Sequence, residues 1–238
     1  GMAACAWTWK KKIEVFDESR KEPYKSSLGG GHWKLKVGAA AAKQFPSPGF
    51  RSKGLAPEIA FVGRSNAGKS TLINALVSQN IAHTSKTPGR TQQLNFFYRD
   101  EDNPRYIVDL PGYGFANAPR KVVEDWNRLI GEYVRERENL LHLFTIVDAR
   151  RGLMAPDKEF LGFLEEFSVP HSLVLTKVDR ISAEELHACV EDTTTHLRET
   201  RAKLCGPVIY AVSARLGFGL EALHDVVRTL LHPPKQAG

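Results

Sequence analysis

Short runs of consecutive apolar residues alternate with amphipathic segments along the chain from residue 58 onward. Runs at 58–62, 141–147 and 171–175 are typical of strands that are buried on both faces of a parallel sheet. The segments between them carry apolar residues three and four positions apart, as helices that pack one face on a core require. This spacing predicts helices at 70–77, 120–139, 156–167, 182–204 and 218–231.

Two further strands, at 93–98 and 105–109, are separated only by the turn-like residues 99–104. A connection this short cannot carry the crossover that a parallel pair needs, so we expect the pair to be antiparallel. A last strand is predicted at 207–212. The sequence therefore predicts an α/β fold with three layers, in which helices cover both faces of a mostly parallel sheet of about six strands with one antiparallel strand.

A glycine-rich loop of the form G-x-x-x-x-G-K-S connects the first of these strands to the first helix. It consists of Gly63, Arg64, Ser65, Asn66, Ala67, Gly68, Lys69 and Ser70. Such a loop lets backbone N–H groups surround phosphate oxygens at a helix N-terminus, while Lys69 reaches the β- and γ-phosphates and the Ser70 hydroxyl ligates Mg²⁺. The alternative is a turn that merely contains glycine. We call residues 63–70 the phosphate loop.

The third strand ends in Asp109, Leu110, Pro111 and Gly112, a D-x-x-G sequence. A carboxylate at this strand end can hold Mg²⁺ through water, and the Gly112 N–H can reach a γ-phosphate, so that the following loop senses that phosphate. Alone, the sequence is equally typical of an ordinary exit from a strand. Its position after the phosphate loop favours the functional interpretation.

Residues that can recognise a base follow the last two strands. Asp179, in the run Thr176, Lys177, Val178 and Asp179, can accept hydrogen bonds from N1–H and the 2-amino group of guanine, a donor pair that adenine lacks. The Lys177 stem can cover the base plane, and backbone N–H groups at Ser213 and Ala214 can reach the guanine O6. The order of these motifs indicates GTP rather than ATP, although each base motif alone also occurs as a simple polar turn.

With these motifs the chain resembles the translation-factor-like P-loop GTPases, and more closely the bacterial EngB/YihA/YsxC family. The closer resemblance rests on residues 63–70, 84–92, 109–114, 131–133 and 176–177. It covers about residues 45–231, which we interpret as the GTPase domain. Residues 1–44 are expected to be a basic, loosely attached extension, and residues 232–238 a tail.

The resemblance implies a larger set of ligand-binding residues. Thr91 would ligate Mg²⁺ and contact the γ-phosphate, with Thr87 as the competing candidate, while Ser70 and Asp109 complete the metal site. Catalytic roles fall to Lys69, Asn66, Thr91 and Gly112. The nucleotide-binding set comprises the phosphate loop together with Gly89, Arg90, Thr91, Gln92, Gln93, Asp109, Leu110, Pro111, Gly112, Thr176, Lys177, Val178, Asp179, Val212, Ser213 and Ala214.

Two positions bear on how hydrolysis would be accelerated. Tyr113 stands where Ras-like GTPases carry a glutamine that orients water, so we expect slow intrinsic hydrolysis that a partner or a cation accelerates. Asn66 resembles the loop asparagine of GTPases that bind K⁺ beside the phosphates. Alternatively, Asn66 only tolerates a left-handed backbone at that point.

The resemblance further implies a role for the protein. It would hydrolyse GTP to GDP as a molecular switch during assembly of the large ribosomal subunit, contacting rRNA and ribosomal proteins of the precursor, and would be needed for normal septation. Two alternatives remain. One is an RNA- or protein-binding module in which GTP is structural, and the other, which residues 176–179 disfavour, is a P-loop ATPase or kinase.

Charge and cysteine content add the last expectations. Residues 1–57 hold 11 Lys and Arg against 4 Asp and Glu, so the net charge of +6 arises there. For residues 1–33 we favour a solvated or non-native tail over a basic arm that binds RNA. No apolar run approaches the roughly 20 residues of a membrane span. Three scattered cysteines suit a reducing cytoplasm, and we expect a monomer.

Overall fold

The computed structural model of the chain describes residues 28, 32–49, 54–82, 93–99, 104–114 and 119–232. Seven strands and five α-helices lie in these residues. The strands are β1 (Lys34–Ala39), β2 (Glu58–Gly63), β3 (Leu94–Arg99), β4 (Arg105–Asp109), β5 (Leu140–Asp148), β6 (His171–Thr176) and β7 (Tyr210–Val212), and the helices are α1 (Lys69–Val77), α2 (Arg120–Glu136), α3 (Ala155–Glu166), α4 (Ala183–Glu199) and α5 (Leu220–Leu231).

The strands form one sheet in the order β1-β3-β4-β2-β5-β6-β7. β3 runs antiparallel to both of its neighbours, β1 and β4, and every pairing from β4 to β7 is parallel. The predicted mostly parallel sheet with one antiparallel strand is therefore confirmed. The described sheet has seven strands rather than about six because β1, which lies within the predicted extension, adds an edge strand.

Apolar side chains on both faces of the sheet explain the consecutive runs in the sequence. In β2, Ile59 and Phe61 pack on the face covered by α1 and α5, whereas Ala60 and Val62 pack on the face covered by α2 and α3. A third cluster lies around α4. All six residues of β2 are buried, and the three predicted layers are confirmed.

Two helices, α2 and α4, end three or more residues earlier than the spacing predicted, and for α4 the cause is visible. The Glu165 carboxylate, at the end of α3, accepts hydrogen bonds from the N–H groups of Lys203, Leu204 and Cys205 at 2.9–3.2 Å. α4 ends just before this turn, where Arg201 has a φ of +51° and the Ala202 N–H donates to the Leu197 carbonyl at 3.0 Å. The other helix, α2, stops at Glu136.

The N-terminal extension contributes to the core at two places. Leu28 and Trp33 are 3% and 5% exposed, and the Trp33 N–H donates to Gln79 Oε1 at 2.9 Å, just beyond α1. These two apolar side chains pack in the core although the surrounding sequence is polar, and the loose attachment of residues 1–44 stays a prediction. The domain boundary at residue 45 stays a prediction.

Among the described residues, no helix combines the length and the apolar character needed to traverse a bilayer.

Candidate functional site

The predicted motifs converge on one edge of the sheet, where the parallel strands β2, β4, β5, β6 and β7 end. In open α/β sheets this is the edge at which ligands bind. The phosphate loop follows β2, and the other motifs follow the neighbouring strands. The geometry therefore brings together residues that are up to about 150 positions apart in the sequence.

Close backbone packing explains the glycines of the phosphate loop. A Cβ on Gly63 would lie 2.5 Å from the Ile146 carbonyl oxygen of β5, so no larger residue fits. Gly68 has a φ of +94° and Asn66 a φ of +67°, both in the left-handed region. α1 begins at Lys69, and the N–H groups of its first turn have no acceptor within the helix. The loop therefore offers N–H donors to an anion.

Lys69 and Asp109 lie together between the phosphate loop and the end of β4. The Lys69 ammonium donates to Asp109 Oδ1, and the two side chains are only 13% and 9% exposed. A buried pair of opposite charges is stable only while both partners are present. A phosphate bound to Lys69 and a cation bound to Asp109 would each replace the charge that the other partner supplies.

Gly112 packs directly against the phosphate loop. A Cβ at this position would lie 2.9 Å from the Gly63 carbonyl oxygen and 3.3 Å from the Ser65 nitrogen. The backbone groups of the two preceding residues hold the segment in place. The Leu110 N–H donates to the Phe61 carbonyl at 2.9 Å, and the Pro111 carbonyl accepts from Trp126 Nε1 at 3.1 Å.

The Tyr113 side chain turns away from this edge into the core. Its hydroxyl donates to Asp157 Oδ1 at 2.8 Å, and its ring stacks on Phe160 with centroids 4.9 Å apart. Burial, followed by the nearby Asp157 carboxylate, raises the pKa of the Tyr113 phenol well above its usual value. The buried Nε of Arg64 lies nearby and has no hydrogen-bond partner among the described residues.

Thr176 and Lys177 support the phosphate loop from the end of β6. The Thr176 hydroxyl donates to the Ala67 carbonyl, and the Lys177 ammonium donates to the Asn66 carbonyl and, at 2.9 Å, to Asp148 Oδ2. Lys177 adopts a φ of +59° to do so. These two residues therefore fix the loop that precedes α1, a role that the sequence did not indicate.

Asp148, which sequence reasoning missed, organises the neighbouring cations. Arg150 binds its carboxylate through Nε at 2.9 Å and Nη2 at 2.6 Å, and Lys177 binds the same carboxylate. Burial alone would raise the pKa of Asp148, but these hydrogen bonds outweigh it and lower the pKa from 3.8 to about 2. The available signal was a carboxylate that ends an apolar strand, as Asp109 does.

The predicted base-recognition residues divide into core and surface groups. Val178 and Val212 bury their side chains, so only their backbone can meet a ligand. Asp179 is half-buried, and its carboxylate makes no hydrogen bond within the described part of the chain. The Ser213 N–H is already bonded to the Phe218 carbonyl at 3.0 Å, which leaves the Ala214 N–H for O6.

Several predicted residues cannot be placed. Gly89, Arg90, Thr91, Gln92 and the competing Thr87 lie outside the described residues. Gln93 is described, and its amide lies over Gly38 of β1 and donates to Asn95 Oδ1 at 3.2 Å. At this position the side chain contacts the sheet edge.

The donor set suits a hard divalent cation. Within the described ranges, no three His, Cys, Asp or Glu side chains are grouped so that they could hold a metal by themselves. Ser70 at the start of α1 and Asp109 at the end of β4 supply only hydroxyl and carboxylate oxygens. Mg²⁺ prefers such oxygen ligands and completes its shell with water and phosphate, so these residues fit it.

Two family models match the chain. One, described as a 50S ribosome-binding GTPase, matches residues 58–177, and the other, the elongation factor Tu GTP-binding domain, matches residues 136–233. The first match includes the phosphate loop, the segment 109–112 and Thr176-Lys177. The chain is therefore a GTP-hydrolysing enzyme.

Curated relatives are similar over most of their length. A probable GTP-binding protein EngB from Mesorhizobium japonicum is 40% identical over 203 residues, which cover 82% of this chain and 92% of the relative. The corresponding protein from Brucella melitensis is 43% identical over 182 residues, covering 73% of this chain and 75% of the relative.

Solved structures agree in fold. The crystal structure of a probable GTP-binding protein EngB matches with a TM-score of 0.55 and 26% identity, over 73% of this chain and 98% of that chain. Era in complex with MgGDPNP and a 16S ribosomal RNA segment matches with a TM-score of 0.59 and 22% identity, over 75% of this chain and 58% of that one, which indicates a shared fold only. The chain belongs to the EngB family of GTP-binding proteins.

Proposed function

We propose that the protein is a Mg²⁺-dependent GTP switch that acts in assembly of the large ribosomal subunit. The observation that carries the nucleotide part is the convergence of the phosphate loop, Gly112 and Asp179 on one sheet edge. The ribosomal part is supported by the family model described as a 50S ribosome-binding GTPase. The protein would act in the cytoplasm as a monomer, and loss of the protein would disturb septation.

In this proposal the residues of the chain bind and orient the triphosphate. Lys69 leaves Asp109 to contact the β- and γ-phosphates, the first-turn N–H groups of α1 and the Gly112 N–H contact phosphate oxygens, and Asp179 accepts from guanine. Ser70, Thr91 and, through water, Asp109 would hold Mg²⁺. When bound, this ion neutralises charge that develops on the transferred phosphoryl group.

Intrinsic hydrolysis is expected to be slow. The Tyr113 hydroxyl is engaged with Asp157 and therefore does not orient the attacking water. We propose that K⁺ beside Asn66 supplies part of the missing positive charge. The left-handed φ of Asn66 equally supports the alternative that asparagine is present for its backbone, so the two roles need to be separated.

The switch itself would lie in residues 80–92 and 110–121. These segments would be ordered by the γ-phosphate and Mg²⁺ and would relax after hydrolysis, as in other GTPases that signal through this phosphate. In the ordered state they would form the face that binds the ribosomal precursor.

Sedimentation with large ribosomal subunits tests the switch. We expect the protein to co-sediment with subunits in the presence of GTP or a non-hydrolysable analogue and to dissociate with GDP. The Lys69→Ala variant lacks the ammonium that contacts the β- and γ-phosphates, so it should not co-sediment with subunits in the presence of any of these nucleotides. Binding that is equal in all nucleotide states, and retained by Lys69→Ala, would overturn the switch and favour an RNA- or protein-binding module with structural GTP.

A further inference from the structure

Both residues that flank Gly112 are fixed by side chains from outside the phosphate loop. On one side the Pro111 carbonyl accepts a hydrogen bond from Trp126 Nε1 of α2 at 3.1 Å. On the other side the Tyr113 hydroxyl donates to Asp157 in the first turn of α3 at 2.8 Å. Side chains of α2 and α3 therefore hold the residues on either side of Gly112.

Two of these side chains, Tyr113 and Trp126, also contact each other through aromatic packing. The centroids of the Tyr113 and Trp126 rings are 6.1 Å apart with an interplanar angle of 67°, and both rings contact Phe160. Tyr113 is 5% and Asp157 1% exposed, so water does not compete for their hydrogen bond. Asp157 is held in turn by the Met154 N–H at 2.8 Å.

The position that results for Gly112 is tightly defined. Gly112 lies so close to the phosphate loop that a Cβ here would be 2.9 Å from the Gly63 carbonyl oxygen. A small displacement of Gly112 therefore changes the position of its N–H relative to the loop. An N–H donor serves a phosphate oxygen only at the right distance and direction. Interactions that fix the position of Gly112 therefore affect the hydrogen bond between its N–H and the phosphate that it contacts.

We propose that Tyr113, Trp126 and Asp157 form a clamp that positions Gly112 and thereby sets the preference of the protein for GTP over GDP. These are positioning residues, since they hold the two residues that flank Gly112. Arg64 of the phosphate loop also lies close enough to Tyr113 and Asp157 to interact with both through its charge. The inference rests on the proposed function, in which the Gly112 N–H contacts the γ-phosphate, a group that GDP lacks.

The chain contains a matched control for the Tyr113–Asp157 bond. Tyr133 in α2 donates to Glu58 Oε1, also at 2.8 Å, and both residues are fully buried. Glu58 begins β2, whereas the phosphate loop follows the end of β2, so this second pair lies at the opposite edge of the sheet. Each tyrosine can be changed to phenylalanine, which removes one hydroxyl and keeps the ring.

The test compares affinities for fluorescent GDP and for a fluorescent, non-hydrolysable GTP analogue. We expect Tyr113→Phe to weaken binding of the GTP analogue by about 3- to 10-fold and to leave GDP binding within about twofold, since only the γ-phosphate contact is displaced. Trp126→Phe should act in the same direction. Tyr133→Phe should lower the melting temperature about as much as Tyr113→Phe does, but it should leave the ratio of the two affinities unchanged.

A combination of variants tests whether Tyr113 acts through Asp157. If the pair acts as a unit, adding Tyr113→Phe to Asp157→Ala should change the affinity ratio no further. An unchanged ratio in Tyr113→Phe, or an equal loss for both nucleotides, would overturn the clamp. Failure of the wild-type protein to bind the GTP analogue would instead contradict the proposed function.

Discussion

At the scale of single residues, the structure shows the backbone and the side chain of a residue separately, whereas the sequence gives only the residue type. Asn66 shows the ambiguity most clearly, since its φ of +67° gives a backbone reason for asparagine at a position where a K⁺ ligand is also proposed. Its carbonyl is engaged by Lys177, whereas its amide makes no hydrogen bond among the described residues. The amide is therefore the part of Asn66 to test.

Replacing Asn66 with glycine separates the two roles. Glycine adopts the left-handed conformation more easily than asparagine, so the loop backbone is preserved while the amide is lost. We expect GTP turnover of the wild type to be faster in KCl than in NaCl, and this difference to disappear in Asn66→Gly. Persistence of the K⁺ effect in the variant would assign Asn66 a backbone role alone.

Asp148 should leave a signature in the pH dependence of stability. Because its pKa falls from 3.8 to about 2 on folding, its contribution to stability is complete above about pH 4 and is lost as the pH falls toward 2. Asp148→Asn should lower the melting temperature near neutral pH and flatten its decline between pH 4 and pH 2. Asp225→Asn, at an exposed ion pair with Arg228, should change neither, and equal effects of the two variants would contradict this assignment.

At the scale of elements, a buried polar network ties α2 to the beginning of β2. Glu58 accepts from Tyr133, from Arg137 and, at 3.5 Å, from Asn139, and Arg137 also donates to the Pro46 carbonyl at 2.6 Å. The Arg137 and Glu58 side chains are 2% and 0% exposed. The network thus joins a helix, a strand and the segment before β2 at the edge opposite the nucleotide motifs.

Removing one charge from this network should be costly. Arg137→Met leaves Glu58 buried without its ion pair, and breaking such a pair typically costs about 3–5 kcal/mol. Urea unfolding should show this loss in the free energy of unfolding. Arg120 and Glu124 form an ion pair in which the side chains are 92% and 59% exposed. Arg120→Met should therefore lower the free energy of unfolding by less than about 0.5 kcal/mol. Similar losses in both variants would mean that Glu58 finds another partner.

At the scale of the whole molecule, the sequence predicted what depends on local pattern. The buried strands β2, β5 and β6 were found because both of their faces are apolar. β1 was missed because Lys34, Leu35 and Lys36 are all exposed at the sheet edge, so no alternation marks it. The ion pair of Lys69 with Asp109 and the Tyr113–Asp157 bond depend on distances between remote segments, which no local pattern encodes.

The buried Trp33 extends the folded unit toward the N-terminus, and this extension can be measured. Trp33→Ala removes a side chain that is 95% buried in the core against α1, and we expect a loss of about 3–5 kcal/mol in the free energy of unfolding. Leu35→Ala, two residues later but 56% exposed, should lose less than about 0.5 kcal/mol. A small effect at Trp33 would support the expectation of a loosely attached extension.

The position of β1 has a consequence for the protein while it is being synthesised. Among the described strands, β1 pairs only with β3, and Ala39 is separated from its partner Leu94 by 55 residues. At about 5–20 residues per second, this segment waits about 3–11 s on the translating ribosome before its partner has been made. The β1–β3 pair therefore cannot form until the phosphate loop and α1, which lie between the two strands in the sequence, have also been synthesised.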